Sequence, residues 1–157
     1  MSFTSPDNLP YHGLILEYMP GGDLATFLQK MLENEWGENE EEWVENDALG
    51  ISAQLVLAMK YIHGENIIHR DIKPENILLS EDQKLVKIAD FNVSRLFEGT
   101  MNTGVAGSME FLPPESLQGQ GDENVTFGHD VWAMGIVFQM LCTFRTCFLF
   151  LKAVSAY

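Results

Sequence analysis

His69-Arg70-Asp71-Ile72-Lys73-Pro74-Glu75-Asn76 is the stretch that decides how this chain is read. Six of its eight residues are polar or charged. On its N-terminal side Ile51, Leu55, Ala58, Met59 and Ile62 recur at helical spacing and Gly64 stops the run, which predicts one amphipathic helix. On its C-terminal side Ile77-Leu78-Leu79 and Leu85-Val86-Lys87-Ile88 flank the polar segment Ser80 to Lys84 and predict a β-hairpin. A charge-dense octapeptide between a helix and a hairpin is either a solvated surface loop or a site where acid, base and amide are gathered for chemistry.

Outward from this core, Leu14-Ile15-Leu16 is a short apolar run ended by Pro20-Gly21-Gly22, which predicts a buried strand entering a turn. Asp23 can then cap a helix over Leu24 to Leu32. From Glu33 to Asp47 there are eight acids and no base, with Trp36 and Trp43 interleaved. That composition reads as a solvated connector, or as a docking surface for a basic partner with the two Trp as anchors. Beyond the hairpin a long loop rich in Gly, Thr and Asn runs to Gly128, and a helix begins near Asp130. Its apolar residues lie all round, which predicts a buried helix.

The 157 residues are 46% hydrophobic, enough for a single core. Nine basic against 23 acidic residues leave a net charge of −14, which repels a phosphate backbone and argues against nucleic acid or an anionic membrane surface as partner. The two cysteines, Cys142 and Cys147, cannot staple a disulfide framework and read as buried thiols in a reducing compartment. Met1 to Asp7 lacks a basic cluster followed by an apolar run, and Val131 to Leu151 is interrupted by Gln139, Thr143, Arg145 and Thr146. Neither a leader nor a membrane span is expected, and a cytoplasmic location is, with the nucleus left open. His12, His63 and His129 show no metal-ligand spacing.

With Asn76 five residues after Asp71, the octapeptide resembles the catalytic loop of eukaryotic protein kinases over its full length. The resemblance implies an α+β fold, with a mainly α-helical large lobe around a small β-hairpin and a small lobe almost entirely absent. Residues 1–13 would be an N-terminal remnant, 14–141 a partial kinase domain from hinge to central helix, and 142–157 an atypical tail. It implies a serine/threonine protein kinase that uses ATP and Mg²⁺ to phosphorylate protein substrates. Asp71 would accept the hydroxyl proton, Lys73 would meet the γ-phosphate and Asn76 would bind Mg²⁺. Asp90-Phe91-Asn92 stands where the family carries Asp-Phe-Gly, so Asp90 would be the second Mg²⁺ ligand. Asn92 departs from the Gly that can take positive φ there, and Asn is among the side chains that best tolerate that region.

By the same resemblance Leu14 to Leu24 is the hinge. Leu16 would be the gatekeeper, the backbones of Glu17 and Met19 would meet adenine, Asp23 the ribose hydroxyls, and Leu78 would lie beneath the base. Gly107 to Glu115 closes a segment resembling the activation segment, with Pro113 in place of the usual Ala. Lys73 with Ser108 matches serine/threonine rather than tyrosine kinases. Arg70 and Arg95 occupy positions that grip a phosphate, with Thr103, and after it Thr100, as the phosphosite for an upstream activating kinase. Asp130 to Gly135 resembles the start of the central helix, whose Asp receives backbone hydrogen bonds from the catalytic loop. Ile88 to Ser94, Pro114 to Leu117 and Trp132 to Gly135 most resemble the calcium/calmodulin-dependent protein kinase kinases; any calmodulin link would run through a segment not in this chain. The 157 residues hold no Gly-rich phosphate loop and no strand lysine, which implies a truncated, weakly active or inactive form. The alternative is a catalytically silent kinase-like interaction module.

Overall fold

Asp23 shows how closely local chemistry sets the first helix. In the computed structural model, which describes residues 2–4, 10–12, 14–33, 47–97, 107–117 and 125–143, its Oδ1 accepts from the Thr26 backbone N at 2.8 Å and its Oδ2 from Thr26 Oγ1 at 2.9 Å. One otherwise orphaned backbone donor at the helix start is thereby satisfied, and the Thr26 hydroxyl braces the cap. Helix α1 follows as Leu24–Glu33 and buries Leu24, Leu28 and Met31 on one face. Asp23→Ala is expected to lower stability by about 1 kcal/mol, read as a lower urea midpoint at unchanged slope. An unmoved midpoint would remove the cap from the explanation of α1.

Upstream of α1, strands β1 (Ser2–Thr4) and β2 (Pro10–His12) pair antiparallel. Strand β3 (Gly22–Asp23) enters a three-stranded antiparallel sheet of order β3-β5-β6, with β5 at Ile77–Leu79 and β6 at Val86–Ile88. The register sets Gly22 opposite Leu79, Leu78 opposite Lys87 and Leu79 opposite Val86. Gly21 is required at the entry. A Cβ there would lie 2.2 Å from the Ser80 carbonyl oxygen, while its own N donates to the Leu79 carbonyl at 3.0 Å. Helix α2 (Leu49–Gly64) packs behind the sheet through Ile51, Leu55, Met59 and Ile62. A two-stranded ladder of β4 (Ile67–Ile68) and β7 (Arg95–Leu96) brackets the region between them. Helix α3 (Pro114–Leu117) precedes helix α4 (Phe127–Thr143). Ile72, Ile77, Leu79, Phe111, Val137 and Leu141 join the core, making a mixed α/β kinase-like fold of helices around a small β region.

Four expectations are corrected. Leu14, Ile15 and Leu16 form no strand and stand 83%, 77% and 65% exposed. An apolar triplet specifies a strand only where a neighbour accepts its backbone bonds, and the sheet enters one turn later, at Gly22. Helix α4 is apolar all round yet buries only one stripe, Asp130, Ala133, Val137 and Leu141, while Val131 and Trp132 face outward. Cys142 is exposed rather than buried, because it follows Leu141 off that stripe. Leu85 belongs to the turn, which Ser80 and Asp82 hold through side-chain bonds, so the second hairpin strand starts at Val86. No helix of the described residues is long and apolar enough to cross a membrane. Most of the acidic stretch (residues 34–46), Thr100, Thr103, Cys147 and the rest of the tail beyond residue 143 lie outside the described residues.

Candidate active site

The octapeptide leaves β4 and enters β5 through a single 3₁₀ turn, Pro74–Asn76, with Pro74 at its first position, where a missing N–H costs nothing. Its backbone is held from α4. Asp130, 1% exposed, accepts from His69 N and His63 Nε2 on Oδ2 and from Arg70 N on Oδ1, each at 2.8 Å. A buried carboxylate is tolerable only with such partners. Its grip holds Arg70 at φ 72°, a left-handed conformation that needs surrounding support.

His69 is fully buried, and its ring Nε2 lies 3.0 Å from the Ala89 carbonyl oxygen. Since a carbonyl only accepts, Nε2 carries the proton, and Nδ1 is left to receive the Asp71 N–H through a long 3.4 Å contact. Burial lowers the imidazole pKa, outweighing the opposing fields of Asp130, Asp71 and Asp90 and the Ala89 hydrogen bond. The sign follows from linkage: a group neutral when folded and protonatable when unfolded loses stability as pH falls through its unfolded value, about 6.5. Nitrogen-15 NMR should find His69 less protonated at pH 6 than an ordinary histidine, which is roughly three-quarters charged there, with the proton of its neutral form on Nε2. A charged fraction equal to or above that of an ordinary histidine would contradict the burial argument.

Asp71, Lys73, Asn76 and Ser108 converge. Asp71 Oδ2 accepts from Lys73 Nζ at 2.8 Å and Asn76 Nδ2 at 3.0 Å, and Oδ1 accepts from Ser108 N at 3.0 Å and Oγ at 3.1 Å. Lys73 Nζ also donates to Ser108 Oγ at 2.9 Å. Burial alone would raise the Asp71 pKa, but the Lys73 bond and charge with the Ser108 and Asn76 bonds lower it. The Asp71 hydrogen bond in turn raises Lys73, against desolvation. Gly107, at φ +106°, makes the approach possible, since a Cβ there would sit 2.4 Å from the Arg70 carbonyl oxygen.

The two expected metal ligands stand at the open ends of the hairpin. Asn76 precedes β5, Asp90 lies two residues after β6, and the Ala89 N donates to the Asn76 carbonyl at 2.8 Å. Asn76 directs its Nδ2 at Asp71, so its Oδ1 is the atom left for a ligand. An amide oxygen and an exposed carboxylate suit a hard cation that completes its shell with water and phosphate oxygens. They fit Mg²⁺. Among the described residues no cluster of three His, Cys, Asp or Glu side chains could cage a metal by itself. The left-handed residue here is Asp90 (φ 62°) and not Asn92, which donates its N to Asp90 Oδ1 at 3.3 Å. Gly is therefore not needed at position 92 for its backbone conformation.

Of the other expected site residues, Leu16 and Glu17 lie in the exposed segment before β3, and Met19 is buried at its end. Glu17 pairs with Lys87 of β6. Asp23 caps α1, and Leu78 sits half-buried opposite it in the sheet. Arg70 is buried in the loop and Arg95 is exposed on β7. Sequence reasoning passed over His63, whose signal was a polar residue one turn after Met59 on the buried face of α2. It also passed over Ser94, which donates to the His69 carbonyl at 3.2 Å, and the His129 to Ser116 bond at 3.0 Å, which joins α4 to α3.

A family model described as the protein kinase domain matches residues 2–153. The chain belongs to the protein kinase family. It is 40% identical over 131 residues to an Aurora kinase of Yarrowia lipolytica, covering 82% of this chain and 32% of that protein. It is 38% identical over 129 residues to the human SNF-related serine/threonine-protein kinase, covering 82% and 16%. Against the human cAMP-dependent protein kinase catalytic subunit PRKX the identity is 34% over 136 residues, covering 86% and 34%. The chain thus spans about a third or less of these curated relatives' lengths. Within the octapeptide, Asp71 has the Lys73 and Asn76 side chains both within hydrogen-bond reach.

Proposed function

We propose that this chain forms the catalytic floor of a serine/threonine protein kinase, with Asp71 as the acceptor of the substrate hydroxyl proton. The observation that carries this is the Asp71, Lys73 and Ser108 triangle, which ties the proton acceptor to the end of the activation segment. In the reaction the hydroxyl oxygen bonds to the γ-phosphorus, the bond to the β-bridging oxygen breaks, ADP leaves and the hydroxyl proton passes to Asp71. A carboxylate held below its usual range is a weak base, so Asp71 orients the hydroxyl first and takes the proton late. Lys73 offsets charge on the moving phosphoryl group. Bound Mg²⁺ would neutralise the ATP phosphates; Asn76 and Asp90 would hold it. Leu16, Glu17, Met19, Asp23 and Leu78 line the proposed nucleoside side.

One motive for the silent-module alternative falls away, since Asn92 occupies no position that demands Gly; the other, that the 157 residues hold no Gly-rich loop and no strand lysine, stands. At subgroup level, Ile88 to Ser94, Pro114 to Leu117 and Trp132 to Gly135 support a calcium/calmodulin-dependent protein kinase kinase-like assignment. The relatives above fall instead among Aurora, SNF-related and cAMP-dependent kinases at similar identities, so that assignment rests on those residues alone. The test of the class uses the whole chain fused to a small lobe that supplies the Gly-rich loop and strand lysine. Peptides differing only in Ser, Thr or Tyr at one position should show Ser or Thr preferred over Tyr by about 100-fold in kcat/KM. Equal rates on Tyr would overturn the serine/threonine assignment.

Phosphate on Thr103, paired with Arg70 and Arg95, is the proposed activating event. Charge-assisted arginine bonds are strong enough to order a loop. After treatment with an activating kinase, Thr103→Ala and Arg95→Ala should each lower kcat of the fused domain by about tenfold, and the double variant by little more. Losses that multiply would exclude the pair and direct attention to Thr100.

A further inference from the structure

Gln54 reaches from the middle of α2 to the open edge of the sheet. Its Nε2 donates to the Lys84 carbonyl at 2.8 Å and its Oε1 accepts from the Val86 N at 3.2 Å, while Nε2 keeps a longer 3.3 Å contact with the Gly50 carbonyl of its own helix. One side-chain amide thus supplies a donor to the turn at Lys84 and an acceptor to the first residue of β6, much as a neighbouring strand would. Strand β6 is the edge of the three-stranded sheet, so among the described residues these two groups have no strand beside them.

The consequence lies four residues further on. Strands of three residues each make a hairpin that is marginal by itself. Yet this hairpin carries Asn76 and Asp90 side by side at its open end, and Asp90 is held there at φ 62°, a left-handed conformation that only a few side chains adopt. The inner side of the hairpin is fixed by β3 and by the Ala89 to Asn76 bond. On its outer side Gln54 holds the turn end, at Lys84 and Val86.

We infer that Gln54 is a positioning residue for the divalent-cation site, acting through the backbone of β6 on the separation and orientation of Asn76 and Asp90. The inference rests on the reading of Asn76 and Asp90 as metal ligands, and its test separates the two. The probe is Mn²⁺ alone, added to the isotope-labelled 157-residue chain, with paramagnetic broadening of the Asn76 and Asp90 resonances as readout. Gln54→Met keeps the length and removes both bonds; Gln54→Glu keeps an acceptor for Val86 N but turns a carboxylate oxygen toward the Lys84 carbonyl.

Gln54→Met is expected to raise the Mn²⁺ concentration for half-maximal broadening by about tenfold, the lower end of what loss of a supporting partner does to a metal site. Gln54→Glu should fall between it and the parent chain. The urea midpoint of each variant, taken in the same buffer, identifies any variant that is unfolded, and a destabilised Gln54→Met leaves Gln54→Glu to decide. Unchanged broadening in a folded variant overturns the role of Gln54 and leaves the metal site standing. Absence of broadening at Asn76 and Asp90 in the parent chain overturns the metal reading, and the positioning role with it.

Discussion

Asp130→Ala is expected to destabilise the chain by about 3–5 kcal/mol, because three donors lose one buried acceptor and each unsatisfied buried group costs about 1–3 kcal/mol. A domain of this size is held by only about 5–15 kcal/mol, so the loss is a large part of the total. The donors are His63 Nε2, His69 N and Arg70 N, and together they set the path of the catalytic loop. Asp130→Asn makes a graded case. An amide oxygen in place of Oδ2 keeps the His63 and His69 bonds, while the amide nitrogen then faces the Arg70 N–H, donor against donor. Its cost should be about half that of Ala. Urea unfolding of the three chains checks the order; a loss below about 1 kcal/mol for Asp130→Ala would mean the loop is held by something else.

The second large effect separates the two carboxylates to which the family resemblance gives different roles. In the chain fused to a small lobe, Asp71→Ala should lower kcat by about 10³-fold, the usual worth of a positioned proton acceptor, with Mg-ATP affinity nearly intact. Asp90→Ala should weaken Mg-dependent nucleotide binding by at least about tenfold as well as ending turnover. The structure supports the division: Asp71 spends both oxygens on Lys73, Asn76 and Ser108, whereas Asp90 is exposed at the mouth of the hairpin. Calorimetric titration with Mg-ATP distinguishes them, and equal weakening by both substitutions would show the two roles misassigned.

Helix α2 was legible because Ile51, Leu55, Met59 and Ile62 face a single core, so period and burial coincide. The hairpin was legible to within one residue for the same reason, and α1 because its cap is local. Leu14 to Leu16 misled, since an apolar triplet carries no record of whether a partner strand lies beside it. In α4 the even spread of apolar residues concealed which stripe is buried, and Cys142 was misplaced with it. Asp71, Lys73 and Asn76 could be picked out because their octapeptide resembles a kinase catalytic loop. Their partners could not: Ser108 is 37 residues from Asp71, His63 is 67 from Asp130, and Gln54 is 32 from Val86. Bonds of that span follow from tertiary packing, for which one sequence offers no period to count. The left-handed conformation at Asp90 was equally hidden, because Asp adopts it only occasionally and the Asn-for-Gly departure at position 92 drew the eye instead.

The most direct measurement is single-turnover transfer of radiolabelled γ-phosphate from Mg-ATP to a serine peptide by the fused domain, with Asp71→Ala run beside it. Label should pass to the serine hydroxyl of the peptide in the parent domain, and the Asp71→Ala rate should be about 10³-fold lower at saturating nucleotide. Transfer by Asp71→Ala within tenfold of the parent, or no transfer by a folded, Mg-ATP-binding parent, would contradict Asp71 as the proton acceptor of a protein kinase.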